Sequence, residues 1–280
     1  MADVATDLRP TAAYRPAGSA VDFGSLLVPF VLIGFANGDY AKVAASLDTL
    51  GLLESLYATF QISIVVWVGM WQVLDLLSQS TLGPTTRRDG AVLALVGFLF
   101  LWPISSLAWA GLALLAVYLL LVRATDDVGR RAAWVILALS VTSQWAPMVF
   151  KFLTDWILLV DTVLVATVSG SDYSGNLVFA RDGKTVLNVL AGCSSFANLS
   201  LAFLGWIMAR AHYGTRGLAR SVLFLALSGT LVVAINTIRI GIIALRPDLY
   251  DLAHGSVGAN IASLLTTASI AAVSLYGARR

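Results

Sequence analysis

A thiol, an imidazole and a guanidinium make a small kit for acyl transfer. The thiolate attacks a carbonyl, the imidazole moves the proton, and the guanidinium donates to the developing oxyanion. The 280-residue chain holds few competitors for these roles. Cys193 is its only cysteine, in A-G-C-S-S-F-A-N-L-S-L at residues 191–201. His254, in D-L-A-H-G, is one of two histidines, and Arg239 lies in N-T-I-R inside an apolar run. Ser194 and Ser195 stand beside the thiol, and Asn236 shares a helical face with Arg239, where it is placed to orient the guanidinium. Cys193 is expected in the first turn of a helix, whose N-terminus favours the thiolate.

Each residue also has a purely structural reading. A lone cysteine in an apolar run is usually a small hydrophobe, an arginine near a helix end can snorkel to the headgroups, and His254 can be an interfacial anchor. His212, in M-A-R-A-H-Y-G-T-R, reads as solvated surface. One cysteine excludes an intrachain disulfide, a CxxC pair and a cysteine metal cluster. No metal, organic cofactor or nucleic-acid partner is implied.

The elements that must position these residues are membrane helices. The chain is 58% hydrophobic and 12% charged, far from the ~45–50% and ~25% of soluble domains. Several uncharged runs approach the ~20 residues that cross a bilayer core, and helices satisfy their own backbone there. The expected fold is an all-α polytopic membrane protein of about eight spans, with a short extracytoplasmic β-hairpin and interfacial helices. The spans fall near 23–38, 57–77, 90–105, 107–122, 132–150, 194–210, 221–243 and 257–276. W-P-I-S-S at 102–106 marks a tight turn. A surface-lying helix is expected over 39–56. Asp155 and Asp161 argue for an amphipathic interfacial helix after Lys151, and Asp182-Gly183 for a two-residue hairpin turn.

The organisation expected is a single membrane domain over 1–280: a polar tail at 1–22, an extracytoplasmic segment at 151–192 and a catalytic core at 193–260. Lys and Arg set orientation. With both termini cytoplasmic, Arg9, Arg15, Arg87, Arg88, Arg123, Arg130, Arg131, Arg210, Arg216, Arg220, Arg279 and Arg280 lie inside. Lys42, Lys151, Arg181, Lys184, Arg239 and Arg246 lie outside. Cys193, Arg239 and His254 then reach the same outer face.

A Cys-Ser element after an Asp-Gly hairpin, then N-x-x-R, then a histidine at the start of the last helix, resembles the exosortase/archaeosortase family of membrane-embedded cysteine transpeptidases. The resemblance is specific over about 145–260 and topological before that. It implies that Cys193 is the nucleophile, Arg239 the arginine and His254 the histidine of the family site. It also implies a multi-pass protein of the cell (inner) membrane with its site facing the periplasm or exterior. The substrate would be an exported protein with a C-terminal transmembrane sorting signal, cleaved through a thioester and passed to an acyl acceptor. Ser195 departs from the pattern, since the family places glycine there; a Cβ at that position is expected to narrow the approach of a substrate backbone. A non-enzymatic transporter or scaffold, and a hydrolytic membrane protease, are the other readings the residues leave open.

Overall fold

The computed structural model describes residues 22–123, 126–214 and 217–279. The N-terminal tail with Arg9 and Arg15, together with Arg216 and Arg280, lies outside the described residues. The described residues are 82% helical, with one small three-stranded sheet among them. The helices are α1 (Phe23–Tyr57), α2 (Ile64–Gln79), α3 (Arg87–Phe100), α4 (Ser105–Leu121), α5 (Asp127–Ser140), α6 (Ala146–Ser169), α7 (Phe196–Tyr213), α8 (Leu218–Leu245), α9 (Tyr250–His254) and α10 (Ser256–Arg279).

This is a membrane protein by the length and apolarity of its helices. Phe23–Tyr57, Asp127–Phe152, Leu218–Leu245 and Val257–Arg279 are each long and apolar enough to cross a bilayer, while α2 and α4 are apolar but shorter. The outer faces carry bare large apolar side chains such as Leu101, Phe152, Trp156, Leu218 and Leu264. A soluble protein does not leave so much contiguous apolar surface in water. Between helices the packing is close and uses small residues, as membrane bundles do. Gly38 lets Trp109 lie against α1, and the indole N–H donates to the Gly38 carbonyl at 3.2 Å.

Helix ends gather at two poles. At the pole opposite the candidate site, Phe23 N–H donates to Gly83 at 3.0 Å and Arg123 pairs with buried Asp89 at 2.8 Å. Thr81 N–H donates to Asp126 at 2.9 Å, and Arg131 reaches the Ala211 carbonyl at 3.5 Å. Arg220 and Arg279 donate to the Gly277 carbonyl and the Tyr213 hydroxyl, at 3.0 and 2.8 Å. The loop after α2 and the ends of α4, α7 and α10 are thus tied to the starts of α1, α3, α5 and α8. α1 to α5 alternate in direction through the bundle, and α6 continues the course of α5.

Three expectations need correction. Residues 39–56 are not one separate helix: residues 39–50 continue α1, and the chain folds back at Gly51 (φ 74°, ψ 175°) into a further helical stretch ending at Tyr57. Asp39 there is buried and paired with Lys42 at 2.9 Å, while Lys42, Asp48 and Glu54 are exposed. The segment after Lys151 is not amphipathic through its aspartates. α5 and α6 form one helical run through a π-helical turn at Val141–Trp145, broken only at Leu153 (φ −113°, ψ 19°). Asp155 and Asp161 are six residues apart, about 240° around the axis. Asp155 is exposed and Asp161 is buried. The hairpin forms, but as part of a three-stranded antiparallel sheet, β1 (Asp172–Ser174), β2 (Leu177–Phe179) and β3 (Val186–Asn188). Only Gly183 of the Asp-Gly pair has positive φ. Asp182 instead accepts from the Lys184 and Thr185 amides and the Thr185 hydroxyl, and these bonds, the hydroxyl's foremost, hold its carboxyl below the ordinary range.

Candidate active site

The sheet and two helices build a platform for the site. Leu158 and Val165 of α6, Val178, Leu187 and Val189 of the sheet region, and Ile240, Ile243 and Ala244 of α8 form one apolar cluster. Cys193 and Ala253 both pack on it. The loop after β2 is tied down where the Arg181 N–H donates to the Ala244 carbonyl at 3.1 Å.

From β3 the chain enters a single 3₁₀ turn, Ala191–Cys193, and α7 begins only at Phe196. Cys193 therefore precedes the helix and is not in its first turn. The turn is closed by Cys193 N–H to Leu190 at 2.8 Å and Ser194 N–H to Ala191 at 3.2 Å. After α8, the short helix α9 ends on His254, and α10 begins at Ser256. A Cβ at Gly255 would press into the Asp251 carbonyl oxygen, so glycine allows that abrupt turn.

These two segments bring the thiol and the imidazole together. Cys193 Sγ lies 3.7 Å from His254 Nε2, across 61 residues of sequence. Tyr250 stacks flat on the imidazole, centroids 4.9 Å apart at 10°, which fixes the plane of the ring. His254 is exposed and Cys193 half-buried. One face of α8 fastens both partners. Asn236 donates to the Cys193 carbonyl at 2.6 Å, and Arg239 Nε donates to the Ala253 carbonyl at 2.9 Å. Asn236 thus holds the cysteine turn and does not orient the guanidinium.

Ser194 and Ser195 face inward. The Ser194 hydroxyl donates to Asp161 Oδ2 at 2.6 Å, the Ser195 hydroxyl to Oδ1 at 2.7 Å, and the Ser195 N–H to Oδ2 at 3.3 Å. Asp161 is 3% exposed. The Ser195 side chain is buried and its hydroxyl is directed to Asp161. Asp161 and Tyr250 are the site-forming residues that sequence reasoning missed. The spacing of Tyr250 and His254, one helical turn apart, was the available signal for Tyr250.

The other expected features fall elsewhere. His212 is exposed in the last turn of α7 against Tyr213, some 24 Å along that helix from its start. A cavity of about 420 Å³ lies toward that pole between α2, α7 and α10, with Gln72, Asp75 and His212 in its lining. Nearer the thiol, an apolar cleft of about 320 Å³ runs between α6 and α7, bordered by Pro147, Phe150, Ala191 and Phe196. Among the described residues no three His, Cys, Asp or Glu side chains gather to hold a metal ion.

No family model, curated protein or solved structure matches this chain.

Proposed function

We propose that the protein is a membrane-embedded cysteine peptidase or transpeptidase of the exosortase type. It would act on exported proteins that carry a C-terminal membrane-spanning sorting signal. The observation that carries the reading is the 3.7 Å approach of Cys193 Sγ to His254 Nε2. In this reading eight helices cross the bilayer and the site faces the periplasm or exterior.

The chemistry runs through these side chains. His254 takes the Cys193 proton, and the thiolate attacks the scissile carbonyl. The imidazolium then gives its proton to the departing amine, leaving a thioester on Cys193. An acceptor amine, hydroxyl or water attacks the thioester, His254 takes the acceptor's proton, and the thiolate is released. Four backbone amides around the thiol are already spent. Those of Cys193 and Ser194 close the 3₁₀ turn, that of Ser195 binds Asp161, and that of Phe196 donates to the Ser194 hydroxyl at 3.2 Å. These four amides are therefore not offered to an oxyanion, and the reading assigns that role to a side chain. Arg239 has one nitrogen committed to Ala253 and its terminal amino groups left for the oxyanion. The apolar cleft bordered by Ala191 gives substrate side chains a place beside the thiol.

The test compares membrane proteomes of host cells carrying the wild-type protein and Cys193→Ala. The wild type should release C-terminal membrane segments from a set of exported proteins, and those proteins should stay full-length in the variant. Identical C-termini in both would end the peptidase reading. Added mass on the new C-terminus distinguishes transfer from hydrolysis.

A further inference from the structure

We infer that Asp161 is a positioning residue for the Cys193 thiol, acting through the paired hydroxyls of Ser194 and Ser195. This inference rests on the thiol–imidazole reading above. Asp161 sits on α6, more than 30 residues upstream of the turn it holds, and its three bonds all go to the two residues after Cys193. No cation pairs with it among these contacts. Burying a carboxyl group is costly unless its oxygens are hydrogen-bonded, and here the donors come only from the thiol's own turn. A carboxyl group that served packing alone would be cheaper as an apolar side chain.

The clamp and Asn236 act on the same short segment from two sides. Asp161 draws residues 194 and 195 toward α6, and Asn236 holds the Cys193 carbonyl toward α8. Held between those anchors, the sulfur lies 3.7 Å from His254 Nε2. A serine at 195 contributes a donor to this clamp that glycine lacks. Its hydroxyl is half of the pair that spans both carboxyl oxygens.

Cys193 is the chain's one thiol, so iodoacetamide alkylation of the full-length protein in detergent reports on it without background. The measured quantity is the factor by which His254→Ala slows alkylation at pH 7, in the wild-type and Asp161→Ala backgrounds. An imidazole partner changes thiol reactivity on the order of tenfold. In the Asp161→Ala background the factor should fall below about twofold, because coupling is lost when the groups no longer meet. A merely structural Asp161 would lower the yield of folded protein and leave the factor intact. The same cycle in Ser194→Ala/Ser195→Ala keeps the test alive if Asp161→Ala does not fold. An equal factor in wild type and either background overturns the inference and leaves the dyad standing. No slowing by His254→Ala in the wild type removes the dyad and the inference together.

Discussion

Arg239 illustrates how one residue serves two demands. Its Nε is used in the resting structure to hold the carbonyl of Ala253, the residue before His254. In the proposed reaction its remaining donors would serve the oxyanion. A guanidinium meets both demands because its five N–H groups lie in a rigid fork, whereas lysine offers one compact ammonium. Arg239→Lys keeps the charge and should insert normally. We expect processing in the proteome comparison to fall by about 10²–10³, the cost of one lost oxyanion donor. Near-normal processing by this variant would remove Arg239 from the chemistry. At this scale the sequence was legible where a residue type was rare or out of place: a lone thiol, one of two histidines, an arginine inside an apolar run. Asp161 was misread because an acid in an apolar run looks interfacial. Its partners lie 33 and 34 residues away, a pairing no local pattern encodes.

At the scale of elements, most helices could be read from apolar runs, and the breaks were harder. The W-P-I-S-S turn falls where Pro and Ser place it, and Asn37 of α1 reaches across to cap it through the Phe100 and Trp102 carbonyls at 2.8 and 3.0 Å. The bend of α1 had no such punctuation beyond a single glycine. Ser46 and Ser55 share a buried hydrogen bond at 3.0 Å, although nine residues of straight helix would part them by about 13 Å. The chain folds back at Gly51, whose φ of 74° and ψ of 175° lie in a region open essentially to glycine alone. A Cβ at Gly51 meets nothing within 4 Å, so its whole cost is backbone strain. Gly51→Ala should therefore destabilise the protein by about 1–3 kcal/mol, read as lowered thermal stability in detergent. An unchanged melting temperature would show that this bend is not held in the folded protein.

For the molecule as a whole, the two poles differ in what they gather. The start of α7, the end of α8 and the start of α10 meet at Cys193, Asn236, Arg239 and His254. The end of α7, the start of α8 and the end of α10 meet at Arg220, Tyr213 and Arg279. The pole opposite the site is the richer in arginine, and a bias of Lys and Arg marks the cytoplasmic side. The sequence supplied that charge map, but it could not say that the thiol and the imidazole touch, since contact between separate helices depends on packing angles. In the proposed reading, pole and bias put the thiol at the outer surface. A membrane-impermeant maleimide added to intact cells should then label the protein, and Cys193→Ala should abolish the labelling. His254 is exposed beside a half-buried sulfur, so a water-borne reagent has a route to it. Labelling that appears only after the membrane is opened would turn the bundle over. A peptidase acting on the exported parts of its substrates has no use for a thiol on the cytoplasmic side, so that outcome would take the proposed function with it.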